Sequence, residues 1–293
     1  MWADLLEPGF VRELDALRRR LAIRARSGAL GERSASRRGG AAEFEEHRPY
    51  VPGDDLRHLD WDLLARLDRP FMKLFEHEPD LTVHLLIDAS RSMDFGTPTK
   101  FLFAARLAAV LAYVALASLD RVVVGFVDDD GVRLHGPSRG RAGFYSILQF
   151  LESGRARGRG SLERGLRIHA AAGTPGLTVL FSDFFDAALP GALLPHRFRR
   201  HSLALVQVLS PDELDPTLDG DLKLIDAEDE RATEITVGPR ELAAYTARLE
   251  AHRDSLHRFA LRHAASMLTL PSNATLEQAV WDHLLRATLV ERR

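Results

Sequence analysis

The sequence contains no cysteine among its 293 residues. Disulfide bonds, thiolate metal sites and cysteine nucleophiles are therefore excluded. Lysine is scarce as well, since Lys73, Lys100 and Lys223 are the only lysines and the rest of the 39 Lys and Arg residues are arginine. The formal net charge of -3 gives no overall basic field, so we expect no nucleic-acid partner.

A secretory signal is not expected, because Met1 to Phe10 carries Asp4 and Glu7 and has no apolar core. One apolar stretch, Phe101 to Leu119, has about the length of a membrane span. It contains Arg106, and an arginine costs about 2.5–3.5 kcal/mol at the centre of a bilayer. We predict a buried core helix, no stable membrane insertion and a cytoplasmic location.

The chain is predicted to begin with an N-terminal helix and a flexible loop, residues 1–40. The apolar spacing predicts an amphipathic helix from Phe10 to Arg26 with a basic second face. The stretch from Ser27 to Gly40 is rich in glycine, serine and arginine, which is typical of a loop.

Residues 41–80 are predicted to form an extension of the main domain. Gly53 to Asp55 indicates a turn, Leu56 to Arg66 a short helix, and Phe71 to Glu76 a strand that joins the edge of the main sheet.

From residue 81 to residue 293, apolar strands alternate with helices, which predicts a doubly wound, mostly parallel α/β sheet with helices on both faces. A strand pair is predicted at 221–225 and 233–237. The other predicted strands are 81–87, 121–127, 131–135, 177–181, 202–209 and 267–270. The predicted helices are 100–119, 141–151, 162–171, 239–262 and 275–290.

The first strand of this domain runs into Asp88-Ala89-Ser90-Arg91-Ser92, which brings one carboxylate and two hydroxyls onto one turn. Such hard oxygen ligands suit Mg²⁺ or Mn²⁺. Asp183 follows another apolar strand, and Ser161 precedes a predicted helix. Because parallel strands end at one edge of a sheet, we predict that Asp88, Ser90, Ser92, Ser161 and Asp183 bind one divalent ion. In a second interpretation, the serines cap helices and the aspartates hold tight turns.

These five residues resemble the metal-ion-dependent adhesion site of von Willebrand factor A domains, with Ser161 where that site has threonine. An upstream block resembles the signature of the bacterial family called domain of unknown function 58. Its residues are Arg48, Tyr50, Gly53, Asp54, Asp55, Arg57, Asp60 and Trp61. The resemblance implies a von Willebrand A-like fold and a role as partner or adaptor of AAA+ ATPases of the MoxR type, in chaperone-like assemblies.

The signature block also allows an interpretation from its residue types alone. Its charged residues are expected to form a buried ion network that fixes the extension to the domain, and a partner surface is the alternative. Trp61 is expected to lie in the core.

We therefore expect a non-enzymatic, divalent-metal-dependent protein-interaction module. A Mg²⁺ ion held mainly by serines keeps an open position for an Asp or Glu side chain of a partner protein. The alternative is a Mg²⁺-dependent phosphatase that uses Asp88 as phosphoryl acceptor. Ser90 argues against it, because phosphatases of the haloacid dehalogenase type carry a second aspartate at that position. No G-x-x-x-x-G-K-[ST] motif occurs, so the chain is not itself a P-loop ATPase.

Overall fold

The computed structural model describes residues 21–23, 43–52, 59–76, 82–128, 130–157, 162–172, 174–185, 202–227, 231–280 and 290–292. The chain divides into two compact units, residues 33–80 and a larger unit made of residues 1–32 and 81–293.

The described strands are β1 (Leu21–Ile23), β2 (Glu43–Pro49), β3 (Phe71–Glu76), β4 (Thr82–Asp88), β5 (Arg121–Asp128), β6 (Gly131–Ser138), β7 (Leu177–Ser182), β8 (Ser202–Leu209), β9 (Gly220–Ile225), β10 (Ala232–Val237), β11 (Ser266–Pro271) and β12 (Val290–Arg292). The described helices are α1 (Trp61–Leu67), α2 (Lys100–Ala117), α3 (Gly140–Glu152), α4 (Leu162–Ala172), α5 (Pro211–Leu214), α6 (Pro239–Arg262) and α7 (Leu276–Gln278).

The larger unit is built on a six-stranded sheet in the order β11-β8-β7-β4-β5-β6. Neighbouring strands are parallel, except that β6 runs antiparallel to β5 at one edge. All seven residues of the central strand β4 are buried. Strands buried on both faces require helices above and below the sheet, so the predicted doubly wound α/β fold is confirmed.

Alternate side chains of β4 pack into separate cores on the two faces of the sheet. Val83, Leu85 and Ile87 join the core that contains helices α2 and α3. Leu86 joins the other core, to which α4 contributes Leu162 and Leu166 and α6 contributes Leu256. The period of two along the strand thus places one layer of helices on each face.

Helix α2 is the apolar stretch that has the length of a membrane span. Within the described residues, it is the one helix long and apolar enough to cross a bilayer, and 89% of its 18 residues are buried inside the fold. Its alanines, such as Ala104, Ala108 and Ala112, are fully buried, which allows the helix axis to approach the sheet closely. The predicted buried core helix is confirmed.

The two ends of the larger unit differ from the prediction. Leu21–Ile23, expected in a helix, forms β1 and pairs antiparallel with β12, Val290–Arg292. The predicted C-terminal helix is therefore wrong at Val290, although α7 begins near its expected start. Helical spacing within one segment carries no information on a partner strand from the other end of the chain. The remainder of the predicted N-terminal helix and the loop 27–40 lie outside the described residues.

The smaller unit contains its own two-stranded sheet, in which β2 pairs antiparallel with β3. The expectation that β3 joins the edge of the main sheet is therefore wrong. Arg48 lies on β2, and the Tyr50 backbone N–H donates a 3.0 Å hydrogen bond to the Pro70 carbonyl. Gly53, Asp54, Asp55 and Arg57 lie outside the described residues.

Helix α1 begins at Trp61, later than expected, because Asp60 caps it. The Asp60 carboxylate accepts hydrogen bonds from the backbone N–H groups of Asp62 and Leu63, at 3.0 and 3.1 Å. No residue within the helix is buried, and Trp61 is 63% exposed. The prediction that Trp61 lies in the core is wrong, since the short helix is held by its cap rather than by its own side chains.

We expect Leu86→Ala to lower the free energy of unfolding by about 2–5 kcal/mol, because Leu86 is fully buried and its loss leaves a cavity. Leu261→Ala is the matched control, since Leu261 is 80% exposed and its loss is expected to change stability by less than about 0.5 kcal/mol. Urea denaturation measures both variants. Equal losses would contradict the burial described for β4.

Candidate functional site

The candidate site lies where the strand order of the main sheet reverses. From the central β4 the chain adds β5 and β6 on one side, then β7, β8 and β11 on the other. Ligands of open α/β sheets bind beyond the carboxyl ends of the strands at such a point. Asp88 is the last residue of β4, and Asp183 directly follows β7. Both carboxylates are buried at this edge.

Asp88 holds the turn after β4 and joins it to β7. Its Oδ1 atom accepts a 2.8 Å hydrogen bond from the backbone N–H of Ser90. Its Oδ2 atom accepts a 2.6 Å hydrogen bond from the hydroxyl of Ser182, the last residue of β7. Asp88 therefore fixes the starting points of two neighbouring loops.

The hydroxyls of Ser90 and Ser92 lie next to each other, and that of Ser92 points towards Asp183. Ser92 Oγ donates a 2.8 Å hydrogen bond to Asp183 Oδ2, and the two serine oxygens are 3.1 Å apart. Ser90 precedes a 3₁₀ turn, but its side chain makes no capping hydrogen bond. Helix α2 is capped instead by Thr99, whose hydroxyl accepts from the Leu102 backbone N–H. The capping interpretation thus does not describe the contacts of these two serines.

The loop after β7 is held in an uncommon conformation. Phe184 has a φ of 59° although it is not glycine, and its side chain is fully buried. Its backbone N–H donates to Ser182 Oγ at 3.0 Å, and the Gln207 side chain donates to the Asp183 carbonyl at 2.9 Å. A left-handed conformation costs roughly 1–3 kcal/mol and persists only where surrounding contacts impose it, most often at functional sites.

Lys100 is a residue of the site that the sequence analysis missed. Its ammonium donates to Asp183 Oδ2 at 2.8 Å and to Glu213 Oε1 at 2.6 Å, while its side chain is 1% exposed. Glu213 belongs to the short helix α5, and its second oxygen accepts a 2.7 Å hydrogen bond from the Ser210 backbone N–H. The buried ammonium therefore connects the Asp183 loop to the helix after β8.

One signal in the sequence pointed to Lys100. In a chain whose basic residues are nearly all arginine, a lysine at the start of the most apolar helix is unusual. Glu213 carried no comparable signal, because it lies 113 residues away and looks like an ordinary member of a helix-capping sequence.

The surroundings of Asp88 favour its protonated form. Burial, and next the charge of Asp183, raise the pKa of Asp88 from 3.8 to about 7. The hydrogen bonds from Ser182 and Ser90 act in the opposite direction and favour the carboxylate.

The four described ligand candidates converge, and their donor types fit a hard divalent cation such as Mg²⁺. Within the described residues, no group of three or more His, Cys, Asp or Glu side chains is placed to hold a metal. A Mg²⁺ site here would therefore combine Asp88 and Asp183 with the hydroxyls of Ser90 and Ser92. Ser161 lies outside the described residues, and metal binding by all five predicted ligands stays a prediction. The segment before Ser161 passes close by, since the Arg157 backbone N–H donates to the Ala89 carbonyl at 2.7 Å.

This strand order, with a carboxylate and two hydroxyls after the first central strand, defines a doubly wound α/β domain of the von Willebrand A-like class. The family described as "Protein of unknown function DUF58" matches residues 46–255, and the chain belongs to this family. The resemblance of the upstream block to this family is thereby confirmed.

Several proteins resemble the chain. An uncharacterised protein of Mycobacterium tuberculosis is 28% identical over 238 residues, which span 79% of this chain and 75% of that protein. The crystal structure of BatB from Bacteroides thetaiotaomicron covers 71% of this chain and 98% of its own, with 12% identity and a TM-score of 0.42. The VWA domain of SpRpn10 covers 67% and 90%, with 11% identity and a TM-score of 0.39. Because these identities and TM-scores are low, the fold assignment rests on the strand order described above.

The buried Asp88 is expected to make the metal-free protein less stable as the pH rises. Its pKa is about 7 in the folded chain against 3.8 as the ordinary value, so the folded state holds a proton that the unfolded state has lost between these values. The stabilisation from this proton is fully present below pH 3.8 and is lost as the pH rises through about 7. Between these values the free energy of unfolding falls by at most about 1.4 kcal/mol per pH unit.

Urea denaturation in EDTA across this pH range measures the effect. Asp88→Asn cannot titrate at this position, so the difference between its pH profile and that of the wild type isolates Asp88 from all other groups. Parallel profiles for the two proteins would contradict the burial of an ionisable Asp88.

Proposed function

We propose that this chain is a non-enzymatic protein-interaction module whose binding to its partner depends on a divalent cation, Mg²⁺ or Mn²⁺. The observation that supports the proposal is the convergence of Asp88, Ser90, Ser92 and Asp183 at the switch point of the sheet. When bound there, a divalent ion would supply a strongly electrophilic centre, because two of its described ligands are neutral hydroxyls.

A carboxylate from another protein is the natural ligand of such a centre. Hydroxyl ligands leave much of the ion's charge uncompensated, and an Asp or Glu side chain of the partner adds the missing negative charge. Contacts around the bond between metal and carboxylate would then provide selectivity.

Exposed aromatic side chains surround the site and suit such an interface. The rings of Phe95 and Phe185 lie 6.0 and 5.6 Å from the Lys100 ammonium, and both are about half exposed. Phe95 also lines an adjoining cleft of about 730 Å³ whose walls include Leu218, Leu224 and Tyr245. Aromatic residues that flank a polar anchor are typical of binding hot spots.

We further propose that the partner is an AAA+ ATPase of the MoxR type and that the pair acts in the cytoplasm. The resemblance of the signature block to that family supports the partner. The burial of α2 supports the location, because α2 is the one described helix that is both long and apolar enough to cross a membrane.

Ser90→Ala combined with Ser92→Ala is expected to weaken binding to this ATPase by at least about tenfold, because two metal ligands are lost. Addition of EDTA is expected to have the same effect on the wild type. The free energy of unfolding of the double variant should fall by about 3 kcal/mol at most, because only the hydrogen bonds of the two serine hydroxyls are removed. Surface-immobilised ATPase measures the binding, and thermal unfolding checks the fold.

The matched control is Ser118→Ala combined with Ser202→Ala, which removes two serine hydroxyls at the opposite, amino edge of the sheet, where α2 ends and β8 begins. It should bind like the wild type. If neither EDTA nor the Ser90 and Ser92 double variant changes the affinity, metal has no part in recognition and the proposal is wrong.

The chain is also expected to lack phosphatase activity. Ser90 lies two residues after Asp88, where the phosphatases that the alternative function resembles carry a second aspartate. With Mg²⁺ and p-nitrophenyl phosphate, the wild type should release no more nitrophenol than Asp88→Asn. Hydrolysis that this substitution abolishes would favour the phosphatase.

A further inference from the structure

Lys100 places an ammonium group, paired with two carboxylates, beside the candidate metal ligands. The same oxygen of Asp183, Oδ2, accepts hydrogen bonds from the Ser92 hydroxyl and from the Lys100 ammonium, each at 2.8 Å. This oxygen faces the two serines, so it is the one that a cation among the hydroxyls would approach. Lys100 and a divalent ion would therefore share one carboxylate.

The position of Lys100 is unfavourable for the helix that carries it. Lys100 is the first residue of α2, and the N-terminus of a helix carries a partial positive charge that disfavours a cation. Burial adds a desolvation penalty. Two carboxylates compensate for both effects, Asp183 on one side and Glu213 on the other.

The residue type is specific as well. The ammonium of lysine is a compact charge whose single nitrogen carries three donors and can serve two carboxylates, whereas the guanidinium of arginine is planar and larger. Apart from Lys73 and Lys223, every other member of the 39 Lys and Arg residues is arginine. A small cation at this place, rather than any basic residue, is therefore the notable feature.

We propose that Lys100 sets the charge of this site so that its affinity for a free divalent cation is low. At such short distances, and in a buried environment, the repulsion between the ammonium and the ion is hardly screened. A carboxylate from the partner then supplies the charge that Lys100 offsets, so metal and partner bind more tightly together than either does alone. This inference rests on the proposed function and defines how that site is regulated.

The test measures metal affinity directly in the full chain, by isothermal titration with MgCl₂ and by the electron paramagnetic resonance signal of free Mn²⁺. We expect Lys100→Met to bind both ions at least about tenfold more tightly than the wild type, because the competing charge is gone. Lys223→Met is the matched control: it makes the same substitution at an exposed lysine on β9 and should leave the affinity unchanged.

A merely structural role for Lys100 predicts the opposite result. Disruption of the site would weaken metal binding, whereas removal of a competing cation strengthens it. Unchanged or weaker binding by Lys100→Met therefore overturns the inference, as does a lack of binding in every variant.

A second pair of variants covers the case in which Lys100→Met does not fold with two uncompensated carboxylates. Lys100→Met combined with Glu213→Gln keeps the net charge of the wild type, and Glu213→Gln alone is its reference. The two differ only at residue 100, and the double variant should again bind at least about tenfold more tightly. Equal affinities in this pair overturn the inference.

The outcome is separable from that of the proposed function. If Lys100→Met gains metal affinity but neither EDTA nor the Ser90 and Ser92 double variant changes partner binding, Lys100 weakens metal binding as inferred, and the metal dependence of partner binding is wrong. If EDTA abolishes partner binding but Lys100→Met does not gain metal affinity, the proposed function stands and this inference fails.

Discussion

The Asp183 carboxylate is a buried charge, and a buried charge is stable only where donors surround it. Ser92 from the loop after β4 and Lys100 from α2 supply those donors, while Gln207 from β8 holds the Asp183 backbone. Three elements are thus bound to one residue, and two of the side chains, Ser92 and Lys100, lie 91 and 83 residues before it in the chain. The arrangement of the carboxyl edge of the sheet depends on this single anion and on its supply of hydrogen bonds.

The core of the fold was predictable because it obeys simple rules. Strand β8 was predicted to its exact limits and β4 to within one residue, since uninterrupted apolar runs in a doubly wound protein leave few alternatives. The meeting of Asp88 and Asp183 followed from the direction of parallel strands alone. Where a property depends on strand direction and burial, one sequence carries enough information.

The missed features depend on contacts between distant segments. Lys100 and Glu213 form an ion pair only because the ends of β4 and β8 are brought to the same edge of the sheet. Neither residue type predicts a partner so far away in the sequence. Trp61 was misplaced for a different reason: an aromatic residue usually marks a core, but this one belongs to a short helix secured by Asp60. Hydrophobicity predicts burial on average and does not reveal which helices are held by their caps.

The pairing of β1 with β12 closes a loop of chain that runs from Ile23 to Val290 and so contains most of the sequence. A contact between Ile23 and Val290 is among the most non-local that the sequence allows. The chain loses the conformational entropy of closing this loop before hydrogen bonds between the two strands can compensate for it. Two three-residue strands cannot meet that requirement while the sheet is unfolded. We therefore expect this pairing to form late in folding, after the sheet has brought both ends together, and to be lost early when the protein unfolds.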